Sequence, residues 1–464
     1  MNIPRHSWTA MAVVIFLAMS LWVATPYPDD HDGVNFVLGV GRFDIHWHQP
    51  HFPGYPVYIA AGKVTTTFTG SAEWGLITVS ALSMAVAMLA LLVISRGSAP
   101  FAGAMALLVA MMASPAVFQF GHKIFSEPMG LALLCLSALA IHGASAGPGR
   151  WTLSGFMLGL MLGVRLSWWP FAPGLAIAAF LSGRLAPMTA GLAIGIVTWL
   201  LPLAWPIGLI ELFNTGLAFT QGHFADLGGS ATGGGAATES VLTTRVGFLL
   251  TNLGAIAGIA PGLWGLIAGA PMALCVGVGM VTLVRHRNDV EYFSTAQRAL
   301  LIGAGFYICW LALGQNVTKA RHFLPFIPVV AIALAPVAKR APMALLLAAA
   351  MMAGGAVGAH IDRHSDFPPP IQMRLWLEKN ADRDTTVYCG WAERFFDLYP
   401  SKTKVYGAPR ADSLPLIIAS QLDPSGTRFV CSDIPGLHAQ GAPVAVFPPR
   451  PADLTDIQLR LFPL

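Results

Sequence analysis

Apolar runs long enough to bridge a lipid bilayer recur along this chain, separated by short segments that each hold one or a few cations. A helix crossing a hydrocarbon core of ~30 Å needs about 20 mostly apolar residues. Eleven stretches approach that description: 8–24, 73–94, 101–118, 128–142, 152–164, 168–181, 187–210, 257–284, 299–313, 323–337 and 342–359. The apolar segment 246–284 exceeds one crossing, so its start reads as an interfacial helix. Only 11% of the 464 residues are charged and 55% are hydrophobic, whereas a soluble domain devotes about 25% to Asp, Glu, Lys and Arg. Too few charges remain to keep a soluble surface wet. High apolar content excludes disorder and a collagen-like array, and five Cys are too few for a disulfide scaffold. A dispersed net charge of +4 gives no footprint for nucleic acid.

Charge also divides the chain. Of its 50 charged side chains, 23 follow Gly358, which separates a membrane body, residues 1–359, from a soluble tail, residues 360–464. The tail reads as a small α/β domain, with a helix over 371–380 and strands over 386–389, 428–431 and 444–447. Cys389 and Cys431 close two of those strands, as a disulfide or as two buried thiols. The other three Cys fall within spans and read as packing residues.

Sidedness follows from cations in short loops. With the N-terminus in the cytoplasm, the inner segments hold Arg5, Arg96, Arg150, Arg184, three Arg in the loop 285–298, and Lys339 with Arg340. An odd number of spans then places the tail outside. The first span has the basic start of a signal peptide, but Ala24-Thr25-Pro26-Tyr27-Pro28 makes a poor cleavage site, so it reads as uncleaved. Arg42, Lys63, Lys123, Arg165, Arg245, Lys319 and Arg321 fall on the outer side against the rule, and a phosphate ligand there accounts for them. Snorkelling to lipid headgroups is the competing explanation.

The first outer loop, 25–72, carries Asp29, Asp30 and Asp32, whose mutual repulsion a cation or a shared proton would relieve. One of them either caps a helix starting near Gly33 or acts as general base on an acceptor hydroxyl or amine. With His31, His46, His48 and His51 the loop also offers ligands for a divalent ion, most simply through Asp30, Asp32 and His48, although no spacing matches a zinc motif. The second outer loop holds His122 and Lys123, both able to bind phosphate, and Glu127 at a span entrance. A carboxylate facing lipid there costs a few kcal/mol, so Glu127 faces a polar cavity or else favours its helix N-terminus. Trp168 and Trp169 fit an interfacial aromatic belt. The glycine-rich residues 222–236, within an outer loop over 211–245, read as a mobile flap or a plain linker. No Walker or dinucleotide fingerprint is present.

The acidic cluster after the first span, followed by His51, Pro53, Gly54, Tyr55 and Pro56, resembles the C-superfamily of polyprenyl-phosphate-dependent glycosyltransferases, the GT-C fold. Gly163-Val-Arg165-Leu-Ser167, Ser126-Glu127-Pro128 and Arg321-His322-Phe323-Leu324-Pro325 look like further elements of the same pattern, over roughly residues 1–340. That resemblance implies an all-α polytopic membrane protein with a small C-terminal α/β extracytoplasmic domain. It implies a sugar moved from a polyprenyl-phosphate donor to a lipid, glycan or protein acceptor at the outer face of a bacterial inner membrane. Asp30 or Asp32 would be the base. Asp29, His48, His51, Tyr55, Lys63, His122, Lys123, Glu127, Arg165, Arg321 and His322 would bind substrate. Members of the protein O-mannosyltransferase and aminoarabinose transferase type usually carry Asp-Glu where this chain has Asp29-Asp30-His31-Asp32. A transporter or flippase for a lipid-linked glycan, and a glycan polymerase or ligase, are the rival classes.

Overall fold

A computed structural model describes residues 5–143, 146–225, 239–259, 263–289, 292–361, 367–420, 426–434, 436–438, 441–449 and 458–464. The chain divides into two compact units, Met1–Ala24 with His51–Gly358, and Thr25–Pro50 with Ala359–Leu464.

The first unit is helical. Among its described residues, six helices are long and apolar enough to cross a membrane: His6–Val23, Ala72–Ser95, Leu185–Ile207, Gly265–Arg285, Thr295–Gly314 and Ala320–Arg340. The chain is a multi-pass membrane protein. A seventh crossing arises if Phe101–Met112 and Pro115–Gly121, bent by 62° at their break, count as one span. Hydropathy alone leads to eleven. Several of those apolar stretches form shorter helices, such as Glu127–Ala140 with 14 residues and Phe171–Leu181 with 11. At 1.5 Å per residue such helices reach only about 15–20 Å. The expected loop 211–245 is largely helical, as Leu209–Ala225 and Glu239–Ile256. Its glycine-rich centre lies outside the described residues.

Ala320–Arg340 and Ala72–Ser95 lie deepest, with 72% and 67% of their apolar windows buried, and Ala72–Ser95 packs against Pro56–Thr69 and Glu127–Ala140. The most extensive helix pairing joins Pro148–Val164 to Leu185–Ile207, and glycine spacing permits it. Gly155, Gly159 and Gly163 recur every fourth residue on one helix, and Gly191 and Gly195 face them from the other. A Cβ at Gly159 would stand 2.6 Å from the Leu192 carbonyl oxygen, and one at Gly191 would run into that of Thr152. Small residues at this spacing let helices approach closely where lipid supplies no hydrophobic drive. Trp199 Nε1 donates to the Gly159 carbonyl across the seam at 2.9 Å. The end of Glu127–Ala140 is held by Arg150, whose Nε donates to the Ala140 carbonyl at 2.7 Å.

The second unit contains a five-stranded sheet in the order β2-β1-β3-β5-β4. The strands are β1 (Thr386–Cys389), β2 (Lys404–Gly407), β3 (Arg428–Cys431), β4 (Ala445–Phe447) and β5 (Leu459–Pro463). β2, β1 and β3 run parallel, while β5 lies antiparallel to both β3 and β4. One face buries Met373, Leu377, Val387, Phe429 and Leu461, and the other Tyr388, Val430, Leu414 and Phe462. Residues Thr25–Pro50, placed with the membrane body by the sequence reading, group with this sheet. The helix His31–Gly41 buries Val34 against Ile371 and Phe395. Tyr27 packs edge-on against Phe367 and Tyr399 at ring distances of 5.5 and 5.8 Å. The Tyr399 hydroxyl donates to the Pro26 carbonyl at 3.1 Å. An amphipathic helix in a polar loop needs a partner for its apolar face, and the C-terminal residues provide it.

Gly159→Val should lower the thermal midpoint of detergent-purified protein by the ~1–3 kcal/mol that overpacking costs. Gly277→Val, which meets open space, should leave it unchanged. Equal midpoints for the two variants in a melting assay would remove the close seam as a source of stability.

Candidate functional site

Five of the residues singled out from the sequence form one connected polar cluster in the helical unit. Glu127 opens the helix Glu127–Ala140, its first-turn position favoured by the helix dipole. Its side chain is 0% exposed, and Arg165 Nη2 stands 3.0 Å from Oε1 while Arg321 Nε stands 3.6 Å from the same oxygen. Arg165 follows the end of Pro148–Val164 and Arg321 lies in the 3₁₀ segment Ala320–Phe326, so three elements meet at one carboxylate. Two guanidiniums against one carboxylate leave this trio with a net positive charge away from bulk water. Gly130, one turn beyond Glu127, makes the approach feasible: a Cβ there would lie 3.3 Å from Arg165 Cγ and 3.2 Å from the Trp168 ring.

Aromatic rings complete the setting. Arg321 lies over the Phe125 ring at 5.2 Å, and Arg165 over the Tyr55 ring at 5.7 Å. Arg165 Nη1 donates to the Tyr55 hydroxyl at 3.4 Å, and that hydroxyl bonds His51 Nε2 at 2.9 Å. The His51 ring stacks on Phe219 at 5.4 Å. Tyr55 sits at φ +48°, in the left-handed region that a non-glycine residue rarely occupies. Such a conformation costs about 1–3 kcal/mol and persists where its surroundings hold it. His322 is buried too, its Nδ1 bonded to the Asn316 carbonyl at 2.9 Å while its own carbonyl accepts from Tyr307 at 2.8 Å.

The other expected residues of this unit lie differently. Lys123 and His122 are 2% and 1% exposed in the turn before Glu127, and His122 Nδ1 donates to the Phe118 carbonyl at 2.7 Å. Lys63 is exposed on Pro56–Thr69. Gly130, Phe125, Phe219 and Tyr307 were not anticipated. The only signal for them was proximity to expected residues in sequence, for Phe125 and Gly130.

The acidic motif belongs to the second unit. Asp30 is the N-cap of His31–Gly41, with Oδ1 accepting the Gly33 N–H at 2.9 Å, so the capping alternative is realised. Asp32 sits in the first turn and Asp29 is 7% exposed. His31, His46, Trp47, His48, Glu393 and Arg394 line a cavity of about 280 Å³ in the same unit. Arg394 donates to the Trp47 carbonyl and pairs with Asp397 at 2.6 Å, and Asn35 Nδ2 donates to His31 Nδ1 at 3.0 Å. Among the described residues, Asp30, Asp32 and His48 do not converge; the trio whose ligand atoms lie within 4.8 Å of one another is Cys389, Cys431 and Asp433.

Burial lowers the His31 pKa below its usual 6.5; Asp32 pulls it back, and Arg394 and His48 add to the lowering. Burial and then Arg394 lower that of His48. Burial, aided by Asp397 and opposed by Arg394, raises that of Glu393.

No protein-family model matches the chain, and no curated protein matches it by sequence. Among solved structures, ArnT from Cupriavidus metallidurans in the apo state is similar at 12% identity, with 92% of this chain and 93% of that one covered and a TM-score of 0.43. The same enzyme bound to undecaprenyl phosphate gives 12% identity, the same coverages and a TM-score of 0.44.

Two outcomes are expected. Glu127→Gln removes the carboxylate from between two buried guanidiniums and should cost about 3–5 kcal/mol, read as a lower unfolding midpoint. An unchanged midpoint would mean that water already screens the trio. Because burial lowers both pKa values, the fold binds fewer protons than the unfolded chain, so the contribution of His31 and His48 is full above pH 6.5 and declines as pH falls. Glu393 contributes the opposite slope, so the comparison is with His31→Gln, which should flatten the decline in melting temperature between about pH 7.5 and about pH 5.5.

Proposed function

We propose that this protein is a membrane glycosyltransferase that moves a sugar from a polyprenyl-phosphate donor to a lipid, glycan or protein acceptor. The observation that carries the reading is the buried pairing of Glu127 with Arg165 and Arg321. Cations enter a low-dielectric region at high cost, and two guanidiniums gathered at one buried carboxylate suit a site that receives an anion. In the proposed step the acceptor oxygen or nitrogen attacks the anomeric carbon, its proton passes to a carboxylate, and the bond from that carbon to the phosphate oxygen breaks. The departing polyprenyl phosphate gains negative charge, which Arg165 and Arg321, with Lys123, would stabilise. Glu127 acts here as the strut that fixes both guanidiniums, and His51 and Tyr55 position Arg165.

For the base we take Asp32, with Asp30, one oxygen of which accepts the helix-capping hydrogen bond, as the alternative. Sidedness has support of its own. Thr25–Pro50 and Ala359–Leu464 belong to one compact unit, which supports one side of the membrane for both and an even number of crossings between them. Five of the six long apolar helices fall between them, so the bent pair or a shorter helix supplies at least one more. In this reading the N-terminus is cytoplasmic and the sheet-bearing unit faces the periplasm of a bacterial inner membrane.

Purified full-length protein should consume a polyprenyl-phosphate-linked sugar and release polyprenyl phosphate. Asp32→Asn should lower turnover by about 10²–10⁴-fold. Asp30→Asn retains a capping oxygen, so a comparable loss without a change in melting temperature would instead make Asp30 the base. Arg321→Gln should lower turnover by about 10²–10³-fold. Movement of an intact lipid-linked sugar across vesicles without bond cleavage would replace the transferase with a transporter.

A further inference from the structure

The sheet-bearing unit holds a buried trio that the proposed transfer does not use. Cys389 ends β1 and Cys431 ends β3, and these parallel strands pair with Tyr388 against Val430. The next step of that register sets Cys389 beside Cys431. Both are 0% exposed and contribute to the same apolar face of the sheet. Their Sγ atoms and one Asp433 carboxylate oxygen all lie within 4.8 Å of one another.

Two chemistries suit neighbouring buried thiols, a soft metal ion and a disulfide, and Asp433 discriminates between them. Its Oδ1 accepts the Gly390 N–H at 2.8 Å and its Oδ2 the Ala392 N–H at 2.7 Å. Both oxygens therefore hold the turn that follows β1, and ligation would compete with those bonds. Two thiolates remain, short of the four ligands of a structural zinc site. Adjacent strands stand about 4.8 Å apart, within the Cα separation of roughly 4.4–6.8 Å that a disulfide spans.

We propose that Cys389 and Cys431 are a covalent modification site, an intramolecular disulfide that ties β1 to β3. This rests on the periplasmic placement proposed above, since a reducing cytosol keeps both as thiols. Formation is an exchange with the disulfide of an extracytoplasmic thiol oxidase. The two Cys lose two electrons and two protons as their S–S bond forms, and the oxidase disulfide takes up both to become a dithiol. Both sulfurs are buried in the finished unit, so the exchange precedes its closure. The bond then closes a long loop that includes β2 and the helix Leu414–Ala419, which restricts the unfolded chain more than a short loop would.

Full-length protein taken from membranes is denatured in excess N-ethylmaleimide without reductant, digested and read by mass spectrometry. In parallel, a C-terminal reporter active only outside the cytosol records sidedness. The expected result is a cross-linked Cys389–Cys431 peptide with Cys135, Cys275 and Cys309 alkylated. Reductant should also lower the melting temperature of the wild type by roughly 5 °C or more, and leave the Cys389→Ser/Cys431→Ser double variant unmoved. Alkylated Cys389 and Cys431 with an active reporter overturn the disulfide and leave the transferase reading standing. Alkylation with an inactive reporter overturns both the disulfide and the sidedness. Thiols that react only after a chelator is added overturn the disulfide in favour of a metal site.

Discussion

A carboxylate with no exposure to water keeps its charge only where opposite charges meet it, and Glu127 meets two. Much of the helical unit is arranged around that requirement. The helix opening at Glu127 directs its positive end toward the carboxylate. Gly130 clears space for Arg165, Phe125 supports the Arg321 guanidinium, and Tyr55 accepts a strained backbone while its hydroxyl contacts Arg165 and His51. Remove Glu127 and the remaining contacts surround two mutually repelling cations.

The short helices matter to this arrangement. Glu127–Ala140 and Pro148–Val164 are shorter than a standard span, and Glu127 and Arg165 stand at their ends. Close glycine packing between Pro148–Val164 and Leu185–Ile207 fixes the first of those helices and so the backbone that carries Arg165. Lipid supplies no hydrophobic force to pull helices together, so shape and hydrogen bonds such as that from Trp199 hold the seam.

Some of this was readable from residue order alone. Ala72–Ser95 was plain from its length and apolarity, as was the switch to a charged tail. Glu127, Arg165 and Arg321 stood out because each breaks a rule of membrane composition, yet their mutual pairing joins residues distant in the chain and no local pattern encodes it. The strands β1 and β3 were legible as short buried β-branched and aromatic runs; β2, an edge strand with mostly exposed residues, was not. The grouping of Thr25–Pro50 with the C-terminal sheet was hidden for the same reason as the ion trio. Val34 needs a partner, but nothing near it in sequence names Ile371 or Phe395. Asp30 illustrates a third case, in which both roles offered by the residue type were visible and the geometry selects capping without excluding chemistry.

The central claim is that the two guanidiniums steadied by Glu127 receive the phosphate of a lipid. Electron cryomicroscopy of the full-length protein in nanodiscs with a polyprenyl phosphate addresses it directly. The account predicts phosphate density within about 3 Å of the guanidinium nitrogens of Arg165 and Arg321, with Glu127 still between them. Phosphate held elsewhere, with this trio closed and unchanged from the lipid-free state, would contradict it.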